Sequence, residues 1–252
     1  MKKRTVYTYY NFGECVRFLI DIRAGFPVHE DGSVMPNLKW VLESIRALGL
    51  VVTEEVARDL ITFRDELNNL PRDSTITNEQ SSKLSKIMVD VRKVLSAELK
   101  RHEAFIITPK ILDVARLIDD VPSLFAPDVF SNLPEIARYD FTEAGKCIAF
   151  ERPTSSAFHI LRGTESVLRH FYCSLVRHKR ISSLMWGPVT QDLRKRPKTA
   201  KYETLYNNLD NIRVSFRNPT RHPEKIYDIH EAQDLWALCV EATNRMMRII
   251  SA

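Results

Sequence analysis

PTSSAFHILRGTESVLRHFYCSLVRH, residues 153–178, sets the architecture of the C-terminal part of the chain. On a wheel drawn at about 100° per residue, Phe158, Ile160, Leu161, Val167, Leu168, Phe171, Tyr172 and Leu175 fall on one arc, which predicts an amphipathic helix. The helix is expected to follow Pro153-Thr154 and to run to about His178. Three more helices are predicted around it: about Asp140 to Phe150 before, about Thr199 to Phe216 and about Asp228 to Ile250 after. The last carries Ala232, Leu235, Trp236, Cys239, Val240, Thr243, Met246, Met247 and Ile250 as its core stripe. The C-terminal part therefore reads as a four-helix unit.

Upstream, Pro122, Pro127 and Pro134 punctuate the stretch from Val121 to Pro134, which makes it the expected domain boundary. Residues 1–130 then form an accessory or regulatory domain and 135–252 the second domain. The first domain reads as mostly helical. Pro36 can open a helix carrying Leu38, Val41, Leu42, Ile45 and Leu48, with Gly49 near its stop. A second helix is expected from Thr53 to about Asn69, ended by Pro71. Thr77-Asn78-Glu79-Gln80 has the pattern of a capping box, and Leu84, Ile87, Met88, Val91, Val94, Leu95 and Leu99 follow at helical spacing. Ala104 to Thr108 is a short β-like run. The expected fold class is mainly α, with a few short strands in the N-terminal domain.

Only 7 glycines are present, which disfavours glycine-rich phosphate loops. The basic start Met1-Lys2-Lys3-Arg4 is followed by Asn11, Glu14, Arg17 and Asp21, so no apolar run of signal-peptide type occurs. No window approaches the roughly 20 apolar residues of a membrane span. Cys15, Cys147, Cys173 and Cys239 are far apart, which indicates neither a disulfide framework nor a zinc site; Cys173 and Cys239 are expected to pack as small hydrophobes. The chain reads as cytoplasmic, without membrane or cofactor. Charge is uneven. Residues 151–252 hold 17 Lys+Arg against 10 Asp+Glu, a net of +7; of the chain totals 37 and 32 this leaves 20 against 22, a net of −2, for 1–150. A polyanionic partner is expected at the C-terminal part.

Between the third and fourth of these helices lies Arg217-Asn218-Pro219-Thr220-Arg221-His222-Pro223. Two prolines stop one helix and delay the next, so a short link presents an arginine, a carboxamide and a histidine together. Such a set suits cleavage of an RNA phosphodiester without metal. His222 can accept or deliver a proton, Arg217 can stabilise the extra charge of a phosphorane, and Asn218 can orient the 2′-hydroxyl or the histidine. The nucleophile would be the RNA's own 2′-hydroxyl.

Glu165 falls just inside the apolar arc of residues 153–178, with Arg162 and Arg169 beside it on the polar side. A carboxylate there needs a partner. It either positions Arg217 or His222, or pairs within its own helix with Arg162 or Arg169. His159 and His170 read as surface residues. Residues 177–201 contain Arg177, Lys179, Arg180, Arg194, Lys195, Arg196, Lys198 and Lys201 against one acid, Asp192. With Arg221 of the link, Arg180, Arg194, Lys195, Arg196 and Lys198 are the candidate RNA-phosphate ligands of a basic loop. Trp186 either stacks on a base or anchors the loop to the core.

The spacing of Arg217 and His222 resembles the Arg-x(4–6)-His motif of the HEPN superfamily's nucleases. Glu143-Ala144-Gly145-Lys146-Cys147, followed by Ala157-Phe158-His159-Ile160-Leu161-Arg162-Gly163-Thr164-Glu165, resembles the first two helices of bacterial HEPN-like proteins. The resemblance covers roughly residues 135–252. It implies a metal-independent endoribonuclease, acting as a homodimer whose two links face one cleft. It also implies service as a toxin or phage-defence effector, with an inhibitory or sensing partner engaged through the N-terminal domain. The alternative is a non-catalytic HEPN module that binds a nucleotide, RNA or a protein partner. A DNA-binding regulator is a third class, but the last helix is too apolar around Trp236 to read bases.

Overall fold

The computed structural model describes residues 4–178, 181–222 and 224–251. The chain is mainly α-helical and divides into two units, Met1–Phe105 and Ile106–Ala252.

The first unit is built from α1 (Val6–Ile20), α2 (Val34–Leu48), α3 (Val51–Val56), α4 (Arg58–Asn68) and α5 (Asn78–Leu99). α1 is not among the expected helices, yet it buries Phe12, Cys15, Val16 and Leu19 at helical spacing. α2 begins two residues before Pro36 and ends on Gly49, whose φ of 70° is the left-handed cap a glycine supplies without strain. At the start of α5, Gln80 N–H donates to Thr77 Oγ1 at 3.1 Å and Thr77 N–H to Gln80 Oε1 at 2.9 Å, which completes the capping box. The stripe behind it buries Leu84, Met88, Val91 and Leu95.

Two expectations for this unit need correction. The helix expected from Thr53 to Asn69 is two helices, α3 and α4, joined at the buried Ala57. No proline or glycine marks that joint. Glu98 of α5 accepts hydrogen bonds from Val52 N–H, Thr53 N–H and Thr53 Oγ1 and holds the start of α3. α4 can then turn Leu60, Phe63 and Leu67 into the core. The expected short strands are absent among the described residues, where the only β-pairing is one isolated bridge, Pro27 with Thr75. Ala104–Thr108 belongs to no helix or strand, with Phe105 88% and Ile106 91% exposed. A strand needs a neighbouring edge, and this run has none.

The second unit comprises α6 (Val114–Asp119), α7 (Glu135–Ala149), α8 (Pro153–Leu175), α9 (Trp186–Arg194), α10 (Glu203–Ile212) and α11 (Ile229–Ser251). α8 is its spine: α7 and α11 pack along it, and α10 lies against α11. α7, α8, α10 and α11 overlap the four expected helices, although α7 begins at Glu135 rather than about Asp140 and α10 spans only Glu203–Ile212, and α9 is an addition. Its buried Trp186, Val189 and Leu193 are spaced for a helix, but the surrounding cations make residues 177–201 read as a loop. α11 is capped by Asp228, whose carboxylate accepts from His230 N–H and Glu231 N–H at 2.8 Å.

The expected boundary at Val121–Pro134 lies inside this unit instead. Pro122 opens a 3-10 turn, Val121–Leu124, and the apolar residues between the prolines anchor the segment to the core. Phe125 packs edge-on against Phe141 at 5.0 Å and Trp236 at 6.3 Å, and Val121, Val129 and Leu133 are buried. Gln233 Oε1 accepts from Ile111 N–H and Leu112 N–H, and Asn244 Oδ1 accepts from Ala126 N–H. Prolines mark turns, and turns need not be linkers. The approach of α6 to α7 depends on Gly145, where a Cβ would stand 2.6 Å from the Leu117 carbonyl oxygen. Of the two cysteines expected in the core, Cys239 is buried and Cys173 is exposed. No described helix is long and apolar enough to cross a membrane.

Candidate functional site

α10 does not stop at a simple end. Residues Arg213–Arg217 continue it as a π-helical turn, in which Asn218 N–H donates to Arg213 O at 2.8 Å. Such widened turns insert a residue into the helix, rotate the facing of the residues beyond them and often lie at functional sites. A 3-10 turn, Pro219–Arg221, comes next and leaves His222 extended at φ −88°, ψ 132°. Tyr227 locks this link. Its hydroxyl is 2.6 Å from Thr220 Oγ1 and donates to Phe216 O at 3.0 Å, and its ring stacks on Phe216.

The turn delivers Arg217 to α8. Its Nε and Nη2 donate to Glu165 Oε2 at 3.2 and 2.9 Å. Glu165 Oε1 accepts from Arg169 Nη2 at 2.8 Å, and Arg169 Nε donates to Leu184 O. Both alternatives for Glu165 are therefore realised in one carboxylate, which is 8% exposed and shared by the link arginine and its own helix. Asn218 and His222 are exposed and are not drawn to Glu165. Of the four residues expected to act together, the fold brings Arg217 and Glu165 into contact and leaves the other two facing solvent.

A second carboxylate has no place among the sequence-based expectations. Asp140 of α7 is wholly buried. Arg162 donates to it through Nε at 2.7 Å and through Nη2, and His159 Nδ1–H donates at 2.8 Å, as it must toward a group that only accepts. His159, expected at the surface, is thus half-buried against this carboxylate. The signal is present in the sequence: Asp140 lies among Ala137, Phe141 and Ala144, on the apolar arc of its helix. Gly163 lets α7 approach α8 here, where a Cβ would meet the Asp140 Cβ at 3.2 Å.

Phe158, Leu161, Arg162, Glu165, Arg217 and Thr220 line one cavity of about 170 Å³. Its charged wall and immediate support hold three guanidinium groups, Arg162, Arg169 and Arg217, against two carboxylates, Asp140 and Glu165. A buried carboxylate fixes the direction of the guanidinium group bonded to it more than the pair stabilises the fold.

The basic segment is less free than its composition suggests. Arg194 binds Asp210 and Asn207 and lies beside Glu203; Arg196 binds Asp192 and His178 O. Asp192 also accepts the Tyr172 hydroxyl at 2.7 Å; burial first, then this bond, pushes that phenol up from its ordinary range. Arg194 ties α9 to α10, and Arg196 ties the end of α9 to the segment after α8, rather than awaiting phosphates. Lys195 and Lys198 are exposed. Arg180 and the side chain of Arg221 lie outside the described residues. Trp186 is buried and anchors α9, so it does not stack on a base. Among the described residues no group of three or more His, Cys, Asp or Glu side chains could hold a metal ion. Comparison with protein-family models, with curated proteins and with solved structures yields no match for the chain.

Proposed function

We propose that the C-terminal unit is a HEPN-type endoribonuclease that cuts RNA without metal. The observation that carries this reading is Arg217, fixed by Glu165 on the wall of a small cavity and followed five residues later by the exposed His222. With Nε and Nη2 occupied by the carboxylate, Arg217 Nη1 has no protein partner among the described residues and can donate to a phosphorane oxygen. The 2′-hydroxyl attacks phosphorus, the bond from phosphorus to the 5′-oxygen breaks, and a 2′,3′-cyclic phosphate remains. One proton leaves the 2′-oxygen and one joins the 5′-oxygen; the exposed His222 serves one of these transfers and solvent water the other. Asn218 orients the attacking hydroxyl or the histidine.

In this reading the protein works in the cytoplasm as a homodimer, as a toxin or phage-defence effector. A partner engaged through the N-terminal unit restrains or triggers it. The resemblance alone supports those roles. The second reading, a non-catalytic module binding a nucleotide, RNA or a protein, is favoured by one observation: His222 does not line the cavity that Arg217 lines.

The test is incubation of the purified protein with total RNA in EDTA, with light scattering on the same sample. Cutting that leaves 2′,3′-cyclic phosphates, by a particle of twice the 29.2 kDa chain, is expected. Cutting that needs a divalent metal or leaves 5′-phosphates overturns the mechanism, and a strict monomer that still cuts overturns the shared cleft. Beyond the cavity, the exposed amines of Lys195 and Lys198 are offered to the RNA backbone. Replacing both by alanine should weaken RNA binding and flatten its dependence on salt, by about 0.7 in slope for each phosphate left without its cation. An unchanged slope takes both lysines out of the interface.

A further inference from the structure

We infer that the cavity is a subsite for one nucleotide of a single RNA strand, with Arg162 as a second phosphate-binding arginine and Phe158 as the platform for the base. This rests on the reading of the site as RNA-binding and names residues that reading does not use. Arg162 and Arg217 come from different elements, yet line one cavity and are held in the same manner. Each gives Nε and Nη2 to a carboxylate, Asp140 for Arg162 and Glu165 for Arg217. Each keeps Nη1 without a protein partner among the described residues. A guanidinium fixed along one edge loses little freedom when its remaining donor meets an anion.

Charge and size narrow the ligand. Three guanidinium groups against two carboxylates leave one positive charge, which a singly charged phosphodiester balances. About 170 Å³ is below the roughly 300–1,000 Å³ of pockets that enclose drug-sized molecules. It suits a phosphodiester and part of its sugar, and a base must stay outside. Phe158 stands where that base would lie. It is 55% exposed, lines the cavity and sits one turn before Arg162 on the same face of α8. A large exposed ring beside anchored cations is the arrangement by which proteins hold single strands without reading sequence.

The test measures binding of a short all-2′-deoxy oligonucleotide, which lacks the attacking hydroxyl, across a series of salt concentrations. Arg162→Ala should weaken binding roughly tenfold, as loss of a charge-assisted hydrogen bond does, and lower the salt slope by about 0.7. Phe158→Ala should weaken it by a similar factor with the slope unchanged, because stacking releases no counterions. Arg162→Ala leaves the buried Asp140 with only His159, so its melt is recorded beside its binding, and Arg162→Lys, which keeps a cation for Asp140, should fall between the two proteins in affinity. Binding is read apart from cutting. A protein that binds with this pattern but never cuts refutes the nuclease and leaves the subsite standing. Unchanged affinity and slope in Arg162→Ala, no binding by the unaltered protein, or a nucleoside monophosphate competing as tightly as the strand would overturn the subsite.

Discussion

Replacing His222 by alanine should lower RNA cutting by roughly 10²–10⁴-fold, the contribution of a positioned acid or base, with the melting temperature unmoved. The side chain is exposed and has no hydrogen-bond partner among the described residues, so activity and stability should separate at this residue. Arg217→Ala should lower cutting by roughly 10²–10³-fold, as removal of a donor to the transition-state charge does. Here a small loss of stability is expected as well, about 1 kcal/mol, because Glu165 loses one of its two partners. It keeps Arg169, so the larger penalty of a stranded buried charge does not arise. Asn218→Ala should do partial damage. An RNA carrying 2′-deoxyribose at the cut position should resist the unaltered protein. Rates are compared on one RNA in EDTA, with thermal melts of each variant. Full activity in His222→Ala would end the proposed chemistry.

A fragment of residues 135–252 should fail to fold, whereas residues 106–252 should melt cooperatively. The shorter fragment lacks Leu117, Val121, Phe125, Val129 and Leu133, all buried in the core of the second unit. Burying each such side chain contributes about 1.5–3 kcal/mol, so together they match the roughly 5–15 kcal/mol that holds a whole domain together. Their loss also uncovers Phe141 and Trp236, on which Phe125 packs, and opens the seat of Leu117 over Gly145. Circular dichroism during heating distinguishes the two fragments. A cooperative melt of 135–252 near that of 106–252 would show that residues 106–134 are an appendage after all.

Much of the fold is legible in the sequence because helices announce themselves locally. Thr77–Gln80 states its cap, Leu84 to Leu95 state one face, and α8 and α11 state theirs over 23 residues each. α1 is equally legible in Phe12, Cys15, Val16 and Leu19 once its spacing is counted. α9 is written in Trp186, Val189 and Leu193, but the charges around it hide the pattern. The joint at Ala57 is not legible, since no proline or glycine marks it. Nor is the domain boundary, because a proline-rich stretch looks the same whether it runs through solvent or across a core.

At the site, the order of residues supplies the ingredients: a link with an arginine, an asparagine and a histidine between two helices, and a carboxylate at the edge of an apolar arc. Periodicity and proline chemistry act within a few residues, so a sequence states them directly. Which groups meet is a matter of packing. The fold joins Arg217 to Glu165 across 52 positions and Arg162 to Asp140 across 22, and it leaves His222 in solvent. It also withdraws Arg194 and Arg196 from the basic surface by giving them Asp210 and Asp192. A charged side chain takes its role from whichever opposite charge lies within reach, and helix packing fixes that distance.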